Sequence, residues 1–318
     1  FKDMFYIEEQ KRGFYPKENH YVTGVYEIEI QPNEEKEISF ACSFEENIEE
    51  INVNKVIKNE IERIEKVVKQ AEIDENNKFY KDISKLVATA DQFIVYRPTF
   101  GLHTIIAGYP WFLDWGRDSL ISFEGLLLIP KRYDIAREVL LTMVRDIKYG
   151  LVPNGYSGFD NRPLYNSADS SLLLFEQIQK YIEYTNDYEF IKEKIYDKLK
   201  IIIESYQKGI DVYQNNIYLD TDYLISSGTT ATQNTWMDAK CEGIAATPRN
   251  GKAVEINSLW YNGLMIMSDL AEKFENETEA KQYKCLAKKC KKSFNDKFYN
   301  PRRKCLYDVL GDNKVRPN

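Results

Sequence analysis

Apolar positions divide the chain into a short extended stretch and a long helical one. Val22, Val25, Ile28 and Ile30 run through one extended segment, and Ile38, Phe40 and Cys42 alternate along the next. Gln31-Pro32-Asn33-Glu34 supplies the turn between them. Residues 21–44 therefore read as a hairpin. A lone hairpin is marginal in water, so residues 1–45 are expected to be the last strands of a β-rich domain that starts upstream. From about residue 51 the period changes. Val53, Val56, Ile57, Ile61, Ile64 and Val68 recur at three- and four-residue spacing inside a charged run, which predicts a surface-lying linker helix within 46–78. Residues 79–318 predict a mainly α body, with helices near 79–96, 117–128, 132–148, 167–185, 188–208, 256–274 and 278–297. The loops near 98–116, 150–166 and 226–255 exceed the usual helix–helix connection, which points to function in them.

Composition narrows what those loops can do. With 43% hydrophobic and 29% charged residues in 318, the chain reads as a packed protein rather than a disordered one. No apolar run is long enough to span a bilayer, and a net charge of −7 disfavours a phosphate backbone as partner. Neither a membrane nor a nucleic acid is expected. Five cysteines without a CxxC pair argue against a disulfide framework and a zinc ribbon, and point to the cytoplasm. No Walker or GxGxxG motif announces a cofactor, and none is expected. Asn276-Glu277-Thr278 fits a glycosylation sequon but reads as a helix turn. Only two histidines, His20 and His103, are present, so no His-rich metal site is expected and acid–base chemistry falls to carboxylates.

All four tryptophans lie in two segments. The first, Gly108 to Ser119, holds Trp111, Asp114, Trp115, Arg117 and Asp118 just before an apolar helix. Sugars need this mixture, because their CH faces stack on aromatic rings and their hydroxyls pair with planar donors and acceptors. The bland alternative has Asp118 capping the helix and Arg117 pairing with Asp114. The second segment holds Trp236, Asp238, Lys240 and Glu242, then Thr247-Pro248-Arg249, then Glu255, Asn257 and Trp260. Asp238 is the candidate acid. A dry pocket beside Trp236 would favour the protonated form that a proton donor needs, and Lys240 would oppose it. Glu242, four residues on, could share a helix face with Asp238 if that stretch were helical, and otherwise reads as a plain surface charge. Glu255 is either a helix-dipole charge or a sugar ligand. In a third segment, Asn166 or Ser167 could cap the next helix, leaving Asp169 in its first turn or lining the site.

The strings GYPWFLDWGRDSL, YNSADSSLLLF and TWMDAK with TPRNGKAVEINSLWYN resemble the amylo-α-1,6-glucosidase domain of glycogen debranching enzymes, over roughly residues 80–318. The resemblance implies an incomplete (α/α)6 helical barrel in 79–318 and an inverting glycosidase acting on glycogen or limit-dextrin glucans. Asp238 would be the general acid. Trp111, Asp114, Trp115, Arg117, Asp118, Asp169, Trp236, Lys240, Glu255 and Trp260 would bind substrate. The start at Phe1-Lys2-Asp3-Met4 reads as a cut in a longer protein. The general base is expected in a downstream part, with a second chain or segment completing the barrel, and the 318 residues alone are expected to be inactive. The competing readings are an exo-acting glucosidase of another specificity on the same barrel, and a glucan-binding protein without catalysis.

Overall fold

The structure is a computed structural model that describes residues 1–11, 13–42, 51–109, 112–157, 161–311 and 315–316. The chain forms two compact units, Phe1–Glu60 and Ile61–Asn318. In the first, strands β1 (Met4–Phe5) and β2 (Lys17–Glu18) pair antiparallel around a short helix, α1 (Ile7–Lys11). The predicted strands of 21–44 are not formed among the described residues up to 42. The turn is present, with Glu34 N donating to Gln31 O at 3.0 Å, and Tyr26 meets Phe40 edge-on at 5.7 Å. The arms fold back on each other without a backbone ladder. Val22, Val25, Ile28, Ile30, Ile38 and Phe40 are all exposed, so no buried face holds a register in place.

Helix α2 (Val53–Gln70) follows, where the three- and four-residue spacing predicted a helix. Helix α3 (Tyr80–Ala90) ends six residues earlier than expected. A 3₁₀ turn, Asp91–Phe93, leads into β3 (Ile94–Arg97), which pairs with β4 (Leu102–Ile105) in the register Ile94 opposite Ile105 to Arg97 opposite Leu102. The physical reason lies in the residues: Ile94, Val95 and Tyr96 favour a pleated strand, and Pro98 biases Arg97 away from helical backbone. The remaining helices match the predicted spans. They are α4 (Gly116–Phe123), continued by a π turn Glu124–Leu128, α5 (Tyr133–Arg145) and α6 (Ser170–Thr185). Then come α7 (Tyr188–Phe190) with a π turn Ile191–Ile195, and α8 (Tyr196–Lys208). The last are α9 (Val254–Lys273) and α10 (Glu277–Phe298). Asn186, at φ 56°, ends α6 in the left-handed conformation that asparagine tolerates. The Asn276 side chain accepts from Glu279 N and caps α10, so the sequon asparagine has a structural task.

Helix α6 packs against both α4 and α9, and α10 packs against α9. Leu120 and Phe123 of α4, Phe175 and Ile178 of α6, and Leu264 and Met267 of α9 are fully buried. A Cβ at Gly263 would lie 3.4 Å from the Phe175 ring, which sets how closely α9 approaches α6. A short hairpin, β5 (Gly155–Tyr156) with β6 (Pro163–Leu164), lies between α5 and α6. Between α8 and α9 runs a long excursion with two hairpins, β7 (Tyr218–Leu219) with β8 (Ile225–Ser226), and β9 (Lys240–Cys241) with β10 (Ile244–Ala245). It returns through β11 (Lys252–Ala253). After α10, β12 (Tyr299–Asn300) pairs with β13 (Cys305–Leu306), and β14 (Val309–Leu310) comes back to pair with β11. No helix among the described residues is long and apolar enough to cross a membrane.

Candidate active site

Arg117 lies in the first turn of α4 with its side chain 9% exposed. Its Nε donates to Asp169 Oδ2 at 2.6 Å and its Nη2 to Asp169 Oδ1 at 3.0 Å, a bidentate pair. Nη1 donates to Asp238 Oδ2 at 2.6 Å, and Nη2 also reaches the Thr235 carbonyl at 3.1 Å. One guanidinium thus joins the start of α4, the start of α6 and the long excursion before α9. Burial works against the arginine's charge, but the two carboxylates outweigh it and hold its pKa above the usual value.

A buried polar chain continues from this cluster. Ser167 Oγ donates to Asp169 Oδ1 at 2.5 Å and accepts from Ser170 N at 3.1 Å. The cap position of α6 is Asp169, whose side chain makes no capping bond, so neither Asn166 nor Ser167 is the cap residue, although Ser167 Oγ takes the first N–H of the helix. Ser170 Oγ reaches Asn154 Oδ1 at 3.0 Å, and the Asn154 carbonyl accepts from Gly116 N at 2.8 Å. The chain of contacts closes back on α4 beside Arg117, so every member is oriented by another.

The other predicted residues take different places. Asp114 is buried and pairs with Arg97 at 2.7 Å, not with Arg117. Trp115 is half-buried with its ring against Gly155, where a Cβ would come within 3.2 Å. Asp118 is exposed and does not cap α4, whose cap position is Trp115. It sits in the first turn and lines a cavity of about 340 Å³ with Arg117, Phe93, Ile105 and Ile121. Trp111 lies outside the described residues. Asp238 is on a loop, its side chain 42% exposed, and Trp236 is 55% exposed, so the dry pocket expected around the acid is not formed among the described residues. Lys240 is exposed on β9. Glu242 does not share a helix face with Asp238. It stands at the turn of the β9–β10 hairpin with φ 49°, because Gly243 beside it favours a tight reversal over a helix.

Trp260 differs from expectation, and Glu255 takes the first of its two expected places, in the first turn of α9. Trp260 is fully buried and stacks on Tyr206 of α8 at 6.1 Å, so it is a core residue and not a sugar platform. The Tyr206 hydroxyl donates to Ala168 O at 2.8 Å, which makes Trp260 and Tyr206 the support beneath Asp169. Both oxygens of Glu255 accept from Arg249, which also grips Asp308. Sequence reasoning quoted Arg249 without giving it a role and missed Arg97, Thr235 and Asp308. Only long-range pairing reveals them.

A profile of the amylo-alpha-1,6-glucosidase family matches residues 88–318. The chain belongs to this family. The whole Arg117 cluster falls inside the family region. The chain is 26% identical over 232 residues to the glycogen debranching enzyme of Saccharomyces cerevisiae, a match covering 55% of this chain and 15% of that protein. Among solved structures, a metal-independent α-mannosidase of Streptococcus pneumoniae is similar in fold, with a TM-score of 0.51 and 12% identity over 81% of this chain and 68% of that one. A rhamnosidase from Klebsiella oxytoca gives a TM-score of 0.47 at 16% identity over 64% of this chain and 36% of its own.

Proposed function

We propose that this chain is part of the catalytic domain of a glycoside hydrolase, an inverting α-1,6-glucosidase acting on the branch points of glycogen-type glucans. The observation that carries the reading is the meeting of Arg117, Asp169 and Asp238, from three separated segments, within the family region. The similarity to a debranching enzyme supports the linkage. The helical array is proposed as part of an (α/α)6 barrel in which α4, α6 and α9 are inner helices, because they pack side by side in that order. Five unpaired cysteines support a cytoplasmic setting.

Asp238 is the proposed acid. Its Oδ2 accepts from Arg117, while Oδ1 carries no hydrogen bond to the described residues and the side chain reaches solvent. In the protonated acid Oδ2 stays the acceptor and Oδ1 delivers its proton to the glycosidic oxygen. The C1–O bond breaks, the leaving sugar departs as an alcohol, and water oxygen adds to the opposite face of C1. The water's proton passes to a carboxylate base. Arg117 attracts the carboxylate more than the acid, so its pull grows as the proton leaves, and only such an interaction accelerates the step. Inversion requires the base about 6.5–9.5 Å from the acid. Asp169 does not fit that role, since Arg117 and Ser167 hold both its oxygens. The base is therefore assigned to a carboxylate not paired with Arg117. Trp115, Asp118, Trp236 and Lys240 are the proposed sugar contacts around Asp238.

The test is glucose release from limit dextrin by the intact protein. Asp238→Asn is expected to lower turnover by about 10²–10⁴-fold while glucan binding persists. Near-normal turnover in that variant removes Asp238 from the acid role. Glucose from linear α-1,4 glucans in place of limit dextrin moves the specificity to another exo-glucosidase, and tight binding without product makes the chain a glucan-binding protein.

A further inference from the structure

Asp238 rides on a loop whose two legs are secured differently. The loop leaves and returns through a bridge between Ser227 and Gly251, each donating its N–H to the other's carbonyl at 2.9 Å. The outgoing leg is fastened at Asn234 and Thr235. Asn234 Nδ2 donates to Asn215 O at 3.1 Å, its carbonyl accepts from Ala168 N at 2.8 Å, and Arg117 holds the Thr235 carbonyl. Beyond Trp236 the chain runs out into the exposed β9–β10 hairpin, with Ala246 N on Ala239 O at 3.0 Å closing its base. The returning leg is fastened by Arg249. Its side chain is 2% exposed, and Nε donates to Asp308 Oδ2 at 2.9 Å while Nη2 donates to Glu255 Oε2 at 2.7 Å. Nη1 adds a second bond to Glu255, and Nη2 a second to Asp308.

The two acids belong to independent elements. Glu255 is in the first turn of α9, and Asp308 immediately precedes β14. Two residues after Arg249, Gly251 has φ +107°, and a Cβ there would stand 2.6 Å from the Leu310 carbonyl. The returning leg is thus pressed against β14 and bolted to α9 at one buried arginine. A guanidinium fork can hold two carboxylates in fixed planes, and an ammonium cannot.

We propose that Arg249 is a positioning residue for the general acid. Its double clamp fixes the returning leg of the loop, and the loop in turn fixes where Asp238 Oδ1 stands relative to the glycosidic oxygen. The inference rests on the reading of Asp238 as the acid. A misplacement of about 1 Å in a catalytic group can cost about 10²-fold in rate, and among the described residues Asp238 has one charged tether, to Arg117, besides the loop itself. Among the described residues, the Arg249 side chain bonds to Glu255 and Asp308 and not to Arg117 or Asp238, so its effect reaches the acid through the backbone.

The consequence separates from a general loss of stability. A misplaced acid harms only those substrates whose leaving group needs a proton. The experiment compares limit dextrin with α-glucosyl fluoride, whose fluoride departs with little protonation, using the intact protein and its Asp238→Asn, Arg249→Lys and Glu255→Gln variants. Arg249→Lys is expected to lower kcat on limit dextrin by about 10–100-fold and to leave kcat on the fluoride within about threefold. Asp238→Asn sets the reference for a lost acid and shows the same selectivity more strongly. Glu255→Gln removes one charged arm while leaving the Asp308 arm in place, and gives a smaller fall with the same selectivity. It decides the matter if Arg249→Lys does not fold. Equal falls on both substrates, or no fall on limit dextrin, in the variants that fold would overturn the role of Arg249. If Asp238→Asn itself shows no leaving-group dependence, the acid assignment is what fails, and the positioning role goes with it.

Discussion

Arg117 donates from all three of its nitrogens to groups of the protein, two of them carboxylates. It is therefore an organiser of acids and not a free fork for sugar hydroxyls. Asp91 is its mirror image, one buried carboxylate between Arg63 and Arg132. Burial alone would raise the Asp91 pKa, but the hydrogen bonds from Arg63 and Arg132 outweigh it and hold the group below the usual carboxylate range. A depressed folded-state pKa contributes stability that is present above the unfolded value, about 3.9, and is lost as pH falls through the folded value. Asp91→Asn is accordingly expected to cost about 2 kcal/mol at neutral pH. That deficit should shrink as pH drops below the carboxylate range, where wild type loses the same ionic bonds. Urea midpoints of the two proteins at pH 7 and pH 3 check this, and a deficit that is equal at both would show that the ion pairs do not carry the effect.

The start of α4 depends on a close approach. A Cβ at Gly116 would lie 2.3 Å from the Pro153 carbonyl and 3.4 Å from Asn154 Cα. These belong to the segment whose Asn154 carbonyl accepts from Gly116 N. Gly116→Ala must push the helix start away from that segment, at a cost of about 1–3 kcal/mol. Arg117 is the next residue, so the shift is passed to its pairs with Asp169 and Asp238. The expected result is a fall in limit-dextrin turnover of about 10-fold or more, larger than the change in thermal midpoint alone would explain at the assay temperature. A variant with full turnover would show that the cluster tolerates movement of α4.

Helix α4 is well buried toward α6 but exposes Ile121, 63% accessible, on its other flank, and Ile129 just beyond it is also exposed. The cavity beside Ile121 is lined mainly by apolar residues, including Phe93, Ile105 and Ile106. Exposed apolar surface gathered around a cavity promotes association. Ile121→Ser with Ile129→Ser is expected to reduce light scattering of the 318-residue chain at high concentration. Its stability should stay within about 0.5 kcal/mol, because neither side chain contributes to the core. A large loss of stability would mean that this flank is already covered within the chain.

Local pattern carried much of this. The three- and four-residue spacing of apolar residues predicted α4 to α6 and α8 to α10 within a few residues, because helical amphipathicity is written residue by residue. The clustering of Trp with Asp pointed to the segments that supply Arg117 and Asp238, and a capping pattern at Asn166-Ser167 to the one that supplies Asp169. What local pattern could not carry was pairing. Arg117 meets Asp169 across 52 residues and Asp238 across 121, while nearby Asp114 goes to Arg97. Trp260 looked like its exposed counterpart Trp236 in sequence, yet one is wholly buried and the other is not. The strand Ile94–Arg97 exists because Leu102–Ile105 returns beside it, whereas the arms of 21–42 have similar strand character and no buried face against which to form a ladder. A sequence fixes which face of an element is apolar and which residues carry charge. Which charge meets which, and which aromatic ring is covered, depends on neighbours distant along the chain, and only the tertiary structure brings those together.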